Sequence, residues 1–256
     1  MIVRHDVPDF KYRAMAEAYR KTVVDIRVPS RDGNKLNHGN GVGTLVASDW
    51  VLTAAHIASR VMPGHERSRV QVPHTVYVDG HPYVVERIVL HPRYSEEERP
   101  WIDIALMKLK TPVKGAKPAC LYPRNDELGQ TATLVGNGKI GTGLTGPVEK
   151  QDGAFRATTV RIQGTEAEGT VLAWTFRRPG EPEITAMEGI SGPGDSGGPA
   201  FLKHRGQLCI AGISASQDDG GLGEGRYGVR ELYPRVSHYR GWVRQVMREK
   251  PAGQRG

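Results

Sequence analysis

The chain has 256 residues, of which 38% are hydrophobic, and it carries a formal net charge of +7 at pH 7. This length suits one large or two small domains with an apolar core, and no apolar run approaches the roughly 20 residues of a membrane span. Lysines and arginines are scattered without a basic-aromatic motif, which favours a solvated basic surface over a nucleic-acid site. We therefore expect neither a nucleic acid nor a membrane as a partner.

Short strands dominate the predicted elements, because 32 glycines and 17 prolines favour frequent turns over long helices. The first half predicts a short helix over Lys11–Lys21 and strands over Thr22–Val28, twice between Val42 and His56, and over Thr75–Val78, Tyr83–Leu90 and Ile104–Leu109. Pro29–Gly41 is predicted to be a loop, and the proline-bearing stretch Thr111–Arg124 is predicted to be a linker.

The second half repeats this pattern and ends in an amphipathic helix. Its predicted strands lie near Ala132–Val135, Phe155–Gln163, Thr170–Phe176, Ala200–Leu202, Leu208–Ser214 and Leu232–Val236. The helix spans Ser237–Arg248, and its predicted inner face carries Tyr239, Trp242, Val243 and Val246. Because helices and strands do not alternate, the sequence predicts two all-β halves followed by a C-terminal α-helix.

The stretch Gly194-Asp195-Ser196-Gly197-Gly198-Pro199 places a serine among glycines. Little side-chain bulk surrounds its hydroxyl, and glycines let the backbone turn N–H groups toward the same point. Acyl transfer needs both a nucleophile and donors aimed at the developing oxyanion. Taken alone, the stretch is more typical of a glycine-rich turn, so its interpretation depends on the chain that precedes it.

Two earlier stretches complete a three-part pattern. They are Leu52-Thr53-Ala54-Ala55-His56 and Asp103-Ile104-Ala105-Leu106, and the separations from His56 to Asp103 and from Asp103 to Ser196 are 47 and 93 residues. In content, order and spacing, the three stretches resemble the signature blocks of the trypsin/chymotrypsin-like serine proteases. The resemblance extends from the second residue to the final helix.

That resemblance implies an all-β fold with two six-stranded antiparallel β-barrels and a C-terminal helix. We expect the first barrel over residues 1–115, with His56 and Asp103. We expect the second over residues 116–256, with Ser196 and the helix.

The resemblance also implies a role for each site residue. Ser196 attacks the scissile carbonyl, His56 takes its proton and later delivers it to the leaving amine, and Asp103 orients the imidazole. Backbone N–H groups of Gly194 and Ser196 form the oxyanion hole, and Ser214 lies where the substrate backbone runs. The implied enzyme is a monomeric serine endopeptidase that acts on proteins or peptides without a metal or organic cofactor.

Two alternatives stay open at this point. A catalytically silent relative would bind peptides or partners without turnover, although the presence of all three residues argues against it. The serine stretch also fits an esterase of the α/β-hydrolase type, which needs an acid and a histidine after the serine on a βαβ scaffold. Asp218, Asp219 and His238 follow Ser196, but the scaffold pattern is absent.

The specificity pocket has two interpretations. Counting back six residues from Ser196 puts Ile190 at the pocket floor, where trypsin-like members carry an aspartate, and this argues against a preference for Lys or Arg. Aligning Tyr233-Pro234-Arg235-Val236 with the family's last strand places Glu231 on the opposite wall, where its carboxylate would meet a basic side chain. Because the loop 215–230 is longer than the family norm, a solvated Glu231 is equally compatible with the sequence.

The sequence Ile2-Val3 resembles the new N-terminus that inserts into the family's C-terminal barrel. The resemblance implies that the ammonium of Ile2 pairs with Asp195 and shapes the oxyanion hole. Met1 would then block this pair, and removing it would raise activity. Arg4-His5 in place of two glycines weakens the match, and an ordinary frayed terminus is the alternative.

The chain lacks the family's disulfides beside the histidine and the serine, because Gly41, Ile57 and Gly192 occupy their positions. These departures suggest a bacterial-type member. Cys120 and Cys209 are the only cysteines. The resemblance brings their regions close, so they are either bridged or free, and a Cα separation above about 7 Å excludes the bridge.

No signal peptide begins the sequence, because Met1 leads directly into a polar stretch. The protein is therefore either cytoplasmic or exported with its signal segment removed. The resemblance favours a secreted or periplasmic location.

Overall fold

The computed structural model describes residues 1–28, 41–62, 74–95, 97 and 101–249. In this part of the chain, the strands before residue 115 are β1 Ile2–Val3, β2 Val23–Asp25, β3 Val42–Ala47, β4 Trp50–Thr53, β5 Thr75–Val78, β6 His81–Leu90 and β7 Ala105–Leu109. The later strands are β8 Cys120–Leu121, β9 Thr131–Gly136, β10 Gly141–Thr142, β11 Gly146–Pro147, β12 Arg156–Arg161, β13 Gly164–Glu166, β14 Val171–Thr175, β15 Gly189–Ile190, β16 Pro199–His204, β17 Gln207–Ile213, β18 Ser216–Asp218 and β19 Arg230–Pro234. The α-helices are α1 Asp9–Ala16, α2 Ala55–Arg60 and α3 Val236–Arg248.

Six strands of the first half form a closed antiparallel barrel in the order β2-β3-β4-β7-β6-β5. Its core contains the fully buried side chains of Val24, Leu45 and Leu106. Apolar residues in short strands separated by turns produce this arrangement, because closure buries one face of every strand and leaves no edge. The predicted six-stranded barrel is confirmed for this half.

The second half contains a five-stranded sheet, β12-β9-β16-β17-β8, and a four-stranded sheet, β13-β14-β19-β18. Leu134, Trp174 and Tyr233 come from different strands of these sheets and share one buried cluster. A bridge between Gly212 and Arg235 joins the two sheets. The predicted two-barrel fold with a C-terminal helix is confirmed, although the strands of this half divide among three sheets, the third of which is β11-β10-β1-β15.

The first residues of the chain lie against the second half. β1 is paired between β10 and β15 in a small sheet, and α1 packs on β12. The buried guanidinium of Arg156 binds the carboxylate of Asp9 with Nε and Oδ1 2.6 Å apart, and Tyr12 is fully buried in the core of the second half. The predicted unit 1–115 therefore includes a segment that packs elsewhere, and the boundary at residue 115 stays a prediction.

The predicted long elements match the observed ones to within a few residues. The short helix begins at Asp9 and not at Lys11, and His56, predicted to end a strand, lies inside α2. The predicted linker Thr111–Arg124 contains the short strand β8. Residues 29–40 of the predicted loop lie outside the described residues.

Cys120 and Cys209 lie opposite each other in the parallel pair β8 and β17. Their Cα atoms are 4.3 Å apart, and the two residues form a disulfide across 89 residues of sequence. This bond fastens the stretch between the halves to the second one. No helix in the described part of the chain is both long and apolar enough to cross a membrane.

The candidate active site

His56 lies in α2, directly after β4, and it meets Asp103, which precedes β7. Both side chains are buried, with 3% and 0% of their surface exposed. Asp103 Oδ2 is 2.5 Å from His56 Nδ1, and Oδ1 accepts the backbone N–H of His56 at 2.8 Å. Because a carboxylate only accepts hydrogen bonds, the imidazole proton lies on Nδ1, and Nε2 is left as a proton acceptor.

Ser196 lies in the turn before β16, and this turn packs on the first half. Its carbonyl accepts the backbone N–H of Val42 at 2.8 Å. The next residue, Gly197, has φ +83°, and a Cβ there would collide with Val42 and Thr53 and lie 3.0 Å from the nitrogen of Ala54. Only glycine allows this approach. The serine turn is therefore fixed against the segment that leads into His56.

The backbone around Ser196 leaves two donors unused. Gly194 has φ +95°, again a conformation that favours glycine. In the described part of the chain, the N–H groups of Gly194 and Ser196 donate to no protein acceptor, whereas the Asp195 N–H between them donates to Gly192. Two free N–H groups beside a serine hydroxyl can stabilise an anionic oxygen.

The carboxylate of Asp195 binds the chain's first residue. The α-ammonium of Met1 lies 2.6 Å from Asp195 Oδ2, and both side chains are 1% exposed. Backbone N–H groups of Gly138 and Gly192 donate to the same carboxylate at 2.7 and 2.8 Å.

The prediction that Ile2 supplies the ammonium applies to a chain that begins at Ile2, and it stays a prediction. Ile2 is buried one position further on, where it pairs with Ile190 in β15. In the chain as given, the α-ammonium of Met1 lies beside the predicted partner Asp195.

A cavity of about 330 Å³ begins at Ser196 and extends along Ser214 toward the loop after β18. Its walls are formed by Ser191, Gly192, Pro193, Ser196, Ser214, Ala215, Ser216, Gln217, Asp219 and Glu224. Ile190 does not line it, because its side chain is fully buried in the core beside Ile2. The structure therefore does not place Ile190 at the pocket floor, and the next residue, Ser191, lines the cavity instead.

Glu231 lies in β19 behind this cavity and is fully buried, so the solvated alternative is wrong. Its Oε1 accepts hydrogen bonds from Ser191 Oγ at 2.5 Å and from Gln217 Nε2 at 2.8 Å. Burial raises the pKa of the Glu231 carboxyl, an effect that the two hydrogen bonds oppose. The two donors are themselves wall residues, so Glu231 is linked directly to the cavity.

The sequence matches the family model described as Trypsin over residues 31–243, which is most of the chain. The chain belongs to the trypsin family. It is 29% identical over 241 residues to the serine proteinase stubble of Drosophila melanogaster, covering 88% of this chain and 29% of that protein. It is 26% identical over 225 residues to human tissue-type plasminogen activator, covering 80% of this chain and 39% of that protein. The chain thus spans about a third of the length of these curated relatives.

Membership of the trypsin family removes the support for an α/β-hydrolase. In the described residues, parallel pairing is confined to β1 with β10, β8 with β17 and one isolated bridge, whereas an α/β-hydrolase needs a βαβ sheet. The suggestion of a bacterial-type member stays a prediction.

Sequence reasoning missed most of the wall residues of the cavity, among them Ser191, Gln217, Asp219 and Glu224. Ser191 directly follows Ile190, the residue that the sequence placed at the pocket floor. Asp219 and Glu224 lie in a glycine-rich loop whose path the sequence leaves open. Nothing in the sequence singles out Gln217, whose contact with Glu231 arises from the pairing of β18 with β19.

Proposed function

We propose that the chain is a serine endopeptidase that hydrolyses peptide bonds through His56, Asp103 and Ser196 and an acyl-enzyme intermediate. The observation that carries the proposal is the buried contact of 2.5 Å between His56 Nδ1 and Asp103 Oδ2. It leaves Nε2 of His56 as a proton acceptor, and Thr53 and Ala54, which precede His56, lie against Gly197 of the serine turn. Membership of the trypsin family supports the same chemistry.

In the proposed reaction, His56 Nε2 takes the proton of Ser196 Oγ while Oγ bonds to the scissile carbonyl carbon. The imidazolium that forms is stabilised by the Asp103 carboxylate. It then gives its proton to the leaving nitrogen as the C–N bond breaks. A water molecule repeats the sequence on the ester and releases the acid and Ser196.

The N–H groups of Gly194 and Ser196 would donate to the oxyanion of each tetrahedral intermediate. This assignment draws on their lack of protein partners in the described residues. Ser214, whose carbonyl accepts the N–H of Gly197 at 2.7 Å, would hold the substrate backbone along the cavity wall. Donors that are already oriented lose little free energy when charge develops.

We further propose that the substrates are proteins or peptides, that the enzyme acts as a monomer, and that it is secreted or periplasmic. The disulfide between Cys120 and Cys209 supports an oxidising compartment. The family supports a protein substrate.

The test is turnover of a casein substrate by wild type and by Ser196→Ala, with Ser48→Ala as the control. Ser48 is an exposed serine in the turn between β3 and β4. Ser196→Ala should lose several powers of ten in rate with an unchanged melting temperature, and Ser48→Ala should keep full activity. Near wild-type turnover by purified Ser196→Ala would refute the proposal.

A further inference from the structure

A second cavity, of about 630 Å³, lies apart from the cavity at Ser196. It is formed where four segments meet: the residues after β6, the residues before Asp103, the turn before β14, and helix α3. Among the described residues, the two cavities share no wall residue. The second cavity therefore belongs to both halves of the chain, has the size of a small-molecule site, and takes no part in the proposed reaction.

Aromatic rings line this second cavity. Trp101, Tyr239 and Trp242 are wall residues, and the two tryptophans are only half-buried, so part of each indole surface is available to a ligand. The ring of His91 packs edge-on against Tyr239 and Trp242, with centroids 5.3 and 5.0 Å apart. The Tyr239 hydroxyl donates to the carbonyl of Trp101 at 2.7 Å. These contacts fix the rings in place, and a fixed set of aromatic rings favours a ligand with a flat ring of its own.

The wall also carries two charged side chains of opposite sign, and neither is paired. Arg93 follows β6, Glu168 lies in the turn before β14, and both are exposed. In the described part of the chain, neither side chain forms an ion pair or a hydrogen bond, with the other or with a third residue. A ligand that carries both an anionic and a cationic group can therefore bind to Arg93 and Glu168 without displacing an existing partner.

The turn that carries Glu168 has a backbone conformation that most residues avoid. Ala167 and Glu168 have φ +46° and +55°, and Gly169 follows with φ +84°. Left-handed residues other than glycine persist where their surroundings fix them, and they cluster at ligand and active sites. Here Arg235 Nη1 donates to the carbonyl of Gly169 at 3.1 Å, while Arg235 Nε binds the buried carboxylate of Glu127 at 3.0 Å. A buried ion pair that the proposed reaction does not use thus holds the strained turn in place.

We propose that the second cavity is a binding site for a free aromatic α-amino acid. The ligand's ring packs against the indoles of Trp101 and Trp242. Its α-carboxylate binds the guanidinium of Arg93, and its α-ammonium binds the carboxylate of Glu168. An aliphatic amino acid would lack the ring, and an aromatic acid or amine would leave one of the two charges without a partner. This inference goes beyond the proposed peptidase function and does not rest on it.

The first experiment measures the binding of L-phenylalanine to wild type by saturation-transfer NMR. For a ligand of this size, the expected Kd is on the order of 1 mM. L-Alanine, which lacks the ring, should bind at least about tenfold more weakly. The aromatic acid 3-phenylpropionate lacks the ammonium and phenethylamine lacks the carboxylate, so each should bind at least about threefold more weakly. Equal affinity for phenylalanine and alanine, or no saturable binding of phenylalanine, would overturn the inference.

The second experiment assigns each end of the ligand to its residue. Arg93→Gln should weaken phenylalanine binding at least about threefold and leave phenethylamine binding unchanged. Glu168→Gln should weaken phenylalanine binding to a similar extent and leave 3-phenylpropionate binding unchanged. Arg244→Gln is the control, because Arg244 is an exposed arginine of α3 that does not line this cavity, and it should bind phenylalanine like wild type.

The outcome for this site is separate from the outcome for the peptidase. Ser196→Ala should bind phenylalanine as wild type does, because Ser196 is not a wall residue of the second cavity. Such binding supports the inference even if wild type shows no peptidase activity, which would refute only the proposed function. If neither Arg93→Gln nor Glu168→Gln changes the affinity for phenylalanine, the amino acid binds elsewhere and the inference is wrong, even for an active enzyme.

Discussion

Replacing Asp195 by asparagine should destabilise the protein and disable the site together. In wild type, the Asp195 carboxylate binds the Met1 ammonium at 2.6 Å and two backbone N–H groups at 2.7 and 2.8 Å. Asparagine has nearly the same shape but no charge, and its amide group presents donors where the carboxylate accepted. The ammonium would then lose its anionic partner and keep only neutral acceptors, such as the carbonyl of Lys139, 2.9 Å away.

The magnitude follows from burial. Breaking a buried ion pair by removing one partner destabilises a protein by about 3–5 kcal/mol, because the remaining charge is uncompensated. For a chain of this size, a loss of 1 kcal/mol lowers the melting temperature by roughly 2–4 °C, so the expected decrease is roughly 6–20 °C. Gly194 and Ser196 flank Asp195, so kcat should fall by about 10²–10³, as when an oxyanion donor is lost.

The assay is differential scanning calorimetry together with hydrolysis of a peptide substrate, with Asp218→Asn as the matched control. Asp218 is exposed and forms no ion pair in the described residues. A second perturbation adds one alanine before Met1, which moves the ammonium without changing Asp195. Asp195→Asn and the added alanine should each lower the melting temperature and kcat, and Asp218→Asn should change neither. If Asp195→Asn melts and turns over like Asp218→Asn, the argument from the buried pair is wrong.

Three further changes test other parts of the structure. Gly197→Ala should destabilise the protein by about 2 kcal/mol more than Gly206→Ala in urea titrations, because both glycines have positive φ but only Gly197 has close neighbours. Equal losses would show that the contacts around Gly197 are unimportant. Replacing Cys120 and Cys209 by serine should reduce the free energy of unfolding by about 2–5 kcal/mol, and mass spectrometry that finds two free thiols in the native protein would contradict the bridge. Because burial raises the pKa of Glu231, wild-type stability should be full below the ordinary value near 4.3 and should decrease as pH rises through the folded value. Glu231→Gln should lack this decrease. If the difference in melting temperature between wild type and Glu231→Gln stays the same between about pH 4 and pH 8, that result would count against the assigned burial.

The three-part motif and the long strands could be predicted from the sequence because their determinants are local. Asp103 precedes a strand-like apolar run, and the glycines beside Ser196 are needed for one turn. The run that forms β7 is visible in five consecutive residues, although four of them are buried and the expected alternation is absent. Such patterns can be recognised in the sequence without knowing which residues pack against them.

The position of the N-terminus could not be predicted, because it depends on a contact between residues 1 and 195. The family resemblance predicted that the ammonium of Ile2 pairs with Asp195. In the structure, the position of the first residues is set by the pairing of β1 with β10 and β15. Those partners are two-residue strands that no periodic pattern reveals. A shift of one residue decides which nitrogen reaches Asp195.

The pocket could be predicted only in part. Glu231 was identified as a wall candidate, but its burial depends on the pairing of β19 with β14 and β18. Ile190 was predicted at the pocket floor by counting back from Ser196. Such a count gives a position in the sequence but does not show which way the side chain faces. The link through Gln217 is a tertiary contact between side chains, which sequence periodicity does not report.

The most direct test of the central claim is covalent labelling of the native protein with a fluorophosphonate, followed by peptide mass spectrometry. If Ser196 is a nucleophile activated by His56, wild type should carry one adduct, located on Ser196, and His56→Ala should be labelled far more slowly. An unlabelled but folded wild-type protein, or an adduct shared equally with other serines, would contradict the account and favour a silent peptide-binding relative.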